Sequence, residues 1–162
     1  MAFVLVGSAS APISNTLTSN YVWYSKFTAI ASGRLTEYRV TCDASMNVKV
    51  AIYSDNAGSP GSRLAYNDSS QAVISGINTL TISSINIASG TVYWVAIIAD
   101  ASYNVGRYAT TGGIGRFKYA IYTTFSWPAT AGTGFTSSES IVVISGWGLA
   151  VTPPSAQSII IG

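Results

Sequence analysis

The 162-residue chain contains no histidine and a single cysteine, Cys42. Histidine is the one side chain whose ordinary pKa falls between pH 5 and 8, and it is the commonest metal ligand. Without it the chain lacks the usual general base and the usual activator of a nucleophile. Carboxylates are scarce as well: Glu37, Asp43, Asp55, Asp68, Asp100 and Glu139 stand singly along the sequence. A glycosidase needs two carboxyl groups about 5–9 Å apart across a cleft, and no spacing here favours such a pair. Serine is abundant, yet no Gly-x-Ser-x-Gly elbow leads into a helix. The chain reads as a non-enzyme, and no catalytic residue, metal or cofactor is expected.

One cysteine cannot make an internal disulfide. Cys42 ends an alternating strand pattern, so the expected role is that of a small buried apolar residue. Charged residues make up 9% of the chain and hydrophobic residues 48%, against a usual charged share of about 25%. That hydrophobicity excludes intrinsic disorder as a description of the whole chain. The formal charge of +2 comes from scattered basic residues with no Lys/Arg run. Phosphate backbones call for a basic stripe, so no nucleic-acid partner is expected. No apolar stretch approaches the roughly 20 residues of a membrane helix, so no membrane insertion is expected either. A surface this poor in charge is weakly protected against self-association. It points to burial in an assembly, as a homo-oligomer or among other subunits, or to a harsh extracellular setting. The start, residues 1–11, ends in small residues as a signal cleavage site would, but lacks a basic n-region and has too short an apolar run. It reads as the first strand of the mature protein.

What the sequence does have is period two. Val48, Val50 and Ile52 alternate with Lys49, Ala51 and Tyr53; Tyr38, Val40 and Cys42 alternate with Glu37, Arg39 and Thr41; Leu80 and Ile82 carry the pattern on. Such strands have one face in a core and one face wet. On the wet face, Glu37 and Arg39 are expected to form a screened ion pair. Residues 92–99 are apolar on both faces and predict a central strand, covered on its second side by loops, aromatics or another subunit; residues 140–147 look similar. Phe27, Tyr38 and Trp94 are expected in the core. Turn chemistry separates the runs at residues 31–33, 54–61, 67–70, 88–90 and 110–113. Many short strands with such turns, and no helical period, predict an all-β, antiparallel β-sandwich of jelly-roll-like form. One domain is expected over residues 1–152. Beyond Pro153-Pro154, which cannot sit in a central ladder, residues 153–162 are expected to form a tail strand. It would dock on its own domain or on a neighbouring subunit.

Two constellations invite chemistry. Asp55-Asn56-Ala57-Gly58 suggests a calcium loop, but Ala57 stands where an oxygen ligand belongs and no acid closes the loop. A tight turn capped by Asx side chains is the expected reading, with a calcium assembled from distant Asp43, Asp68 or Asp100 left open. From about Gly106 to Phe135 the alternation loosens into Gly, Thr and aromatics, predicting long loops with one or two strands. Here Phe117, Phe125, Arg107 and Lys118 accompany the candidate glycan or partner contacts Tyr103, Tyr108, Arg116, Tyr119, Tyr122 and Trp127. Aromatic planes stack on the C–H faces of sugars, and the same residues make protein hot spots. Subunit interface, glycan contact and internal packing under loops all remain open for this segment.

The stretches 27–35, 48–65 and 92–97, above all Tyr53-Ser-Asp-Asn-Ala-Gly-Ser-Pro-Gly61 and Gly90-Thr-Val-Tyr-Trp-Val-Ala96, resemble a module of bacterial surface and secreted proteins. It is the choice-of-anchor type, which is similar to carbohydrate-binding jelly rolls. Residues 1–11 are similar to the starts of phage tail and head-decoration proteins. The resemblance implies a non-catalytic structural or decorating subunit of a virion or extracellular assembly, with polysaccharide adhesion. The alternative is a carbohydrate-binding module of a secreted enzyme. No binding residue carries over from it, because the matching positions are turns and core strands.

Overall fold

The computed structural model describes residues 2–7, 13–109, 115–138, 140–142 and 144–149. Among the described residues fourteen strands account for the regular structure, and no helix occurs. They are β1 (Phe3–Gly7), β2 (Ile13–Leu17), β3 (Tyr21–Thr28), β4 (Gly33–Cys42), β5 (Met46–Asn56), β6 (Ser59–Val73) and β7 (Gly76–Leu80). There follow β8 (Asn86–Ile87), β9 (Val92–Ala99), β10 (Tyr103–Ala109), β11 (Gly115–Tyr119), β12 (Thr136–Ser138), β13 (Ser140–Val142) and β14 (Ile144–Leu149). The first sheet runs β1-β14-β4-β10-β13, with β2 on β10 and both β7 and β8 on β4; the second runs β12-β11-β3-β9-β5-β6. Every pairing is antiparallel, and the two sheets face one another as the expected β-sandwich.

Alternation builds two cores from one sheet. In β9, Tyr93, Val95, Ile97 and Ala99 face the first sheet, among Leu35, Val40, Val48, Val50 and Ile52. Trp94, Ala96 and Ile98 point the other way and join Val22, Tyr24, Ala51 and Tyr53. The doubly apolar strand is central, between β3 and β5, as its sequence predicts. Its second side is covered by the chain itself: Tyr122, Trp127 and Ala131 lie across it. Between the sheets the Tyr38 hydroxyl donates to the Ala96 carbonyl at 3.0 Å, and the Val142 amide donates to Ser25 Oγ at 2.9 Å. Trp94 and Tyr38 are fully buried and Phe27 is half-buried against the core. Cys42 is buried with its thiol on the Ile74 carbonyl, and desolvation pushes its pKa up.

The 54–61 turn is a two-residue hairpin between β5 and β6. Ala57 and Gly58 have φ of 49° and 82°, and positive φ at both central positions is what a type I′ turn requires. The Gly58 amide donates to Asp55 Oδ2 at 3.1 Å, the expected Asx cap. Residues 67–70 are a correction: they are not a turn between strands but lie inside the long strand β6. Val48 pairs with Gln71 and Val50 with Asn67, so Asp68, Ser69 and Ser70 bulge opposite Lys49 alone. The turn chemistry is real (Asn67 Oδ1 accepts from the Ser69 amide at 2.9 Å), but pairing with β5 on either side keeps it within a strand. Residues 140–147, expected as one strand, divide into β13 on β10 and β14 on β4. Glu37 and Arg39 do pair, at 2.7 Å, with the guanidinium over the Trp147 ring. The tail strand expected over residues 153–162 lies outside the described residues.

Candidate functional site

The segment from residue 120 to 135 leaves β11 and folds across the outer face of the second sheet. Its anchors come from the β6 bulge and from the Lys49 it opposes. Asp68 accepts from the Trp127 amide at 2.7 Å and from the Ser126 hydroxyl at 2.8 Å. Ser70 Oγ and the Tyr122 hydroxyl lie 2.7 Å apart. The Lys49 ammonium, itself buried, donates to the carbonyls of Tyr122 and Phe125 at 3.1 and 2.7 Å. Arg63 holds the Trp127 carbonyl and Lys118 the Ala131 carbonyl.

This cover buries two of the candidate contact residues. Tyr122 is 6% exposed and Trp127 1% exposed. Trp127 stands edge-on to Phe125 at 4.9 Å and tilted against Tyr53 at 6.2 Å. Their rings are occupied by the chain's own core, so for them internal packing is the use the structure shows. Burial also pushes the Tyr122 phenol pKa up, with Ser70 pulling it down and Asp100 adding to the rise. Tyr103 and Tyr108 sit in β10, but their side chains lie outside the described residues. Arg116 is half-buried, donates to the Gly115 carbonyl at 2.9 Å and stands 5.7 Å from the Trp94 ring centre. Among those of the six whose side chains are described, Tyr119 is the aromatic that reaches solvent, at 63% exposure.

Tyr119 belongs to a group whose other members the sequence reading passes over. β11 pairs with β3 so that Phe117 opposes Trp23 and Tyr119 opposes Tyr21. Period two then places all four rings on one face. Trp23 and Phe117 stack at 4.7 Å, and Tyr21 meets Phe117 and Tyr119 edge-on at 5.9 and 5.6 Å. Beside them Thr16 and Thr18 complete an open groove of about 380 Å³ lined by Thr16, Thr18, Tyr21, Trp23 and Phe117. Trp23 touches the inter-sheet core as well as lining the groove. Among the described residues no charged side chain lines it. The signal that could have found it is the alternation Tyr21-Val22-Trp23, which sends both aromatics to one side.

The carboxylates open to a calcium reading are engaged as loop hooks. Asp43 accepts from Asn104 Nδ2 and amide at 2.6 and 2.9 Å; Asp100 accepts from Asn47 Nδ2 and amide at 2.8 and 2.9 Å. Asp55 accepts from the Trp94 indole at 2.7 Å and has Lys26 at 3.8 Å. Its pKa is raised by burial, but Trp94, Gly58 and Lys26 more than offset that, so the net shift is downward. Among the described residues no three His, Cys, Asp or Glu side chains gather as a metal site. Compared with known protein families, curated proteins and solved structures, the chain has no match.

Proposed function

We propose that this chain is a non-catalytic structural or decorating subunit of a virion or other extracellular assembly, and that it adheres to surface glycan through the aromatic groove. The groove carries the reading. Tyr21, Trp23, Phe117 and Tyr119 gather rings and phenol hydroxyls beside Thr16 and Thr18, with no charge among the described lining residues. A pyranose ring offers C–H bonds to aromatic surface and hydroxyls to such polar tips, so it matches both halves of the groove. The assembly half is supported by aliphatic side chains left in solvent, among them Ile30, Ile74, Leu149 and Ile77, the last 72% exposed. Exposed apolar surface on a charge-poor protein marks interaction sites. The likeness of residues 53–61 and 90–96 to modules of bacterial surface proteins supports the extracellular setting.

Light scattering after size exclusion, with retention in polysaccharide affinity gels, tests both halves. The intact chain is expected to run as an oligomer and to be retarded by at least one polysaccharide. Tyr119→Ala, at an exposed position, is expected to abolish retardation while leaving the melting temperature unchanged. A monomer that is still retarded would favour the carbohydrate-binding module of a larger secreted protein. A monomer that no polysaccharide retards would overturn the proposal.

A further inference from the structure

A second concave site lies at the opposite end of the second sheet, on its outer face. The β5–β6 hairpin forms one wall, and residues 130–135 form the other. Two adjoining cavities of about 440 and 490 Å³ share Asn56, Pro60, Gly132 and Thr133. The walls are pinned together by main-chain bonds: Ala131 amide to Gly61 carbonyl at 2.9 Å, Arg63 amide to Ala129 carbonyl at 2.8 Å, and a bridge between Ser62 and Thr130. Gly61 keeps the hairpin wall itself tight, since a Cβ there would stand 2.8 Å from Ser54 Oγ in the same hairpin. The cleft is therefore built by the fold rather than left between loose loops.

We propose that this cleft binds a neutral saccharide, held by hydrogen bonds rather than by ring stacking. Asp55 is the reason. Its carboxylate is partly exposed in the cleft and fixed by the Trp94 indole and the Gly58 amide. A carboxylate has about four acceptor sites, and these two bonds leave others for hydroxyl donors. Around it stand the Asn56 amide, the Ser62 and Thr133 hydroxyls and, in the adjoining cavity, the Arg116 guanidinium and the Phe135 ring. Donors and acceptors thus line the two cavities together, with the Phe135 ring as an apolar surface. A sugar hydroxyl both donates and accepts, and matches that mixed lining. A phosphate would meet the Asp55 charge, a divalent cation would find too few carboxylates, and an apolar ligand would strand the polar lining without partners. The site is separate from the aromatic groove and does not depend on the groove's function.

The Trp94 indole N–H, bonded to Asp55, is a built-in reporter, and the Trp23 indole reports on the groove. In ¹H–¹⁵N spectra of the intact chain titrated with galactose, mannose, cellotriose and maltotriose, at least one sugar is expected to move the Trp94 indole and the Ser62 and Thr133 amides together, with saturation. Asn56→Ala and Thr133→Val, both at exposed positions, are each expected to weaken that binding about threefold to tenfold, the loss of one or two hydrogen bonds, with the rest of the spectrum intact. Sodium phosphate and calcium chloride are expected to leave these signals in place. If none of the four sugars moves them, if phosphate or calcium does so instead, or if both variants bind as the parent does, the proposal fails. Shifts confined to the Trp23 indole would support the groove and overturn the cleft.

Discussion

Two aromatic residues of the outer core should answer substitution in opposite ways. Trp94 is fully buried, and its indole N–H is bonded to Asp55. Trp94→Ala leaves a large cavity under the 120–135 cover and strands a carboxylate hook, so it is expected to cost about 3–5 kcal/mol. Tyr24 is equally buried, yet its hydroxyl has no hydrogen-bond partner among the described residues. Burial pushes its phenol far above the ordinary range, with Tyr53 adding to the rise. A buried polar group without a partner costs about 1–3 kcal/mol, so Tyr24→Phe is expected to leave stability unchanged or raise it. Tyr53→Phe is the control. Its hydroxyl donates to the Pro128 carbonyl at 2.9 Å, and losing that bond should cost about 1 kcal/mol. Urea unfolding of the three variants checks the order; a Tyr24→Phe protein as destabilised as Tyr53→Phe would mean that the Tyr24 hydroxyl is paired.

At the scale of elements, the acids act as ties between strands and loops, and this sets the pH response. Asp43 is held below the usual carboxylate range by Asn104, first through its side-chain amide and then through its main-chain N–H; Asp55 is also lowered on balance. A carboxyl with a depressed folded pKa contributes stability above its unfolded value of about 3.9 and loses it as pH falls through the folded one. At the other end, Tyr24, Tyr53 and Tyr122 all have raised pKa values, chiefly from burial. Their contribution is complete below about pH 10 and is lost as pH rises beyond it. With no histidine between these limits, the melting temperature is expected to be flat from about pH 5 to 9 and to fall on both sides. A step near pH 6.5 at constant ionic strength would contradict this account.

The same scale separates what the sequence could tell from what it could not. Alternation at residues 38–42, 48–53 and 92–99 marks β4, β5 and β9, because a half-buried strand needs period two. The doubly apolar pattern of 92–99 requires a second cover, which the segment from residue 120 to 135 provides. Asn67 to Ser70 mislead because Asx turn chemistry is local, whereas the long-range pairing of β5 decides whether it ends a strand or bulges it. Tyr119 and Tyr122 are three residues apart with similar neighbours, yet one is exposed and the other buried. Spacing cannot separate them, since the chain leaves the sheet between them and doubles over its outer face. The cleft at the hairpin is a meeting of residues 54–62 with 130–135, invisible to any local pattern.

For the whole molecule, assembly turns on what meets its sheet edges. Among the described residues β1 is the outermost strand of the first sheet, next to β14. One of its carbonyls, that of Leu5, is taken by the Ile30 amide at 2.9 Å. No charged side chain blunts the strand, which reads Phe3-Val4-Leu5-Val6-Gly7. An edge of this kind invites a further strand. Phe3 pairs with Gly148, so the start of β1 lies beside the end of β14, where Leu149 is half exposed and Ile30 more so. In the sequence residues 150–162 follow Leu149 and include Ile159-Ile160-Ile161. Each such side chain gains about 1.5–3 kcal/mol when fully buried, and the rim offers apolar surface to receive it, on this chain or on a neighbour. Deleting residues 153–162 is therefore expected to lower either the melting temperature or the oligomer mass. A lower melting temperature at constant mass would place the tail on its own sandwich. A lower mass would place it on a neighbouring subunit and make it part of the assembly contact. If neither changes in scanning calorimetry and light scattering, the tail is dispensable, and the case for assembly rests on the exposed aliphatic side chains alone.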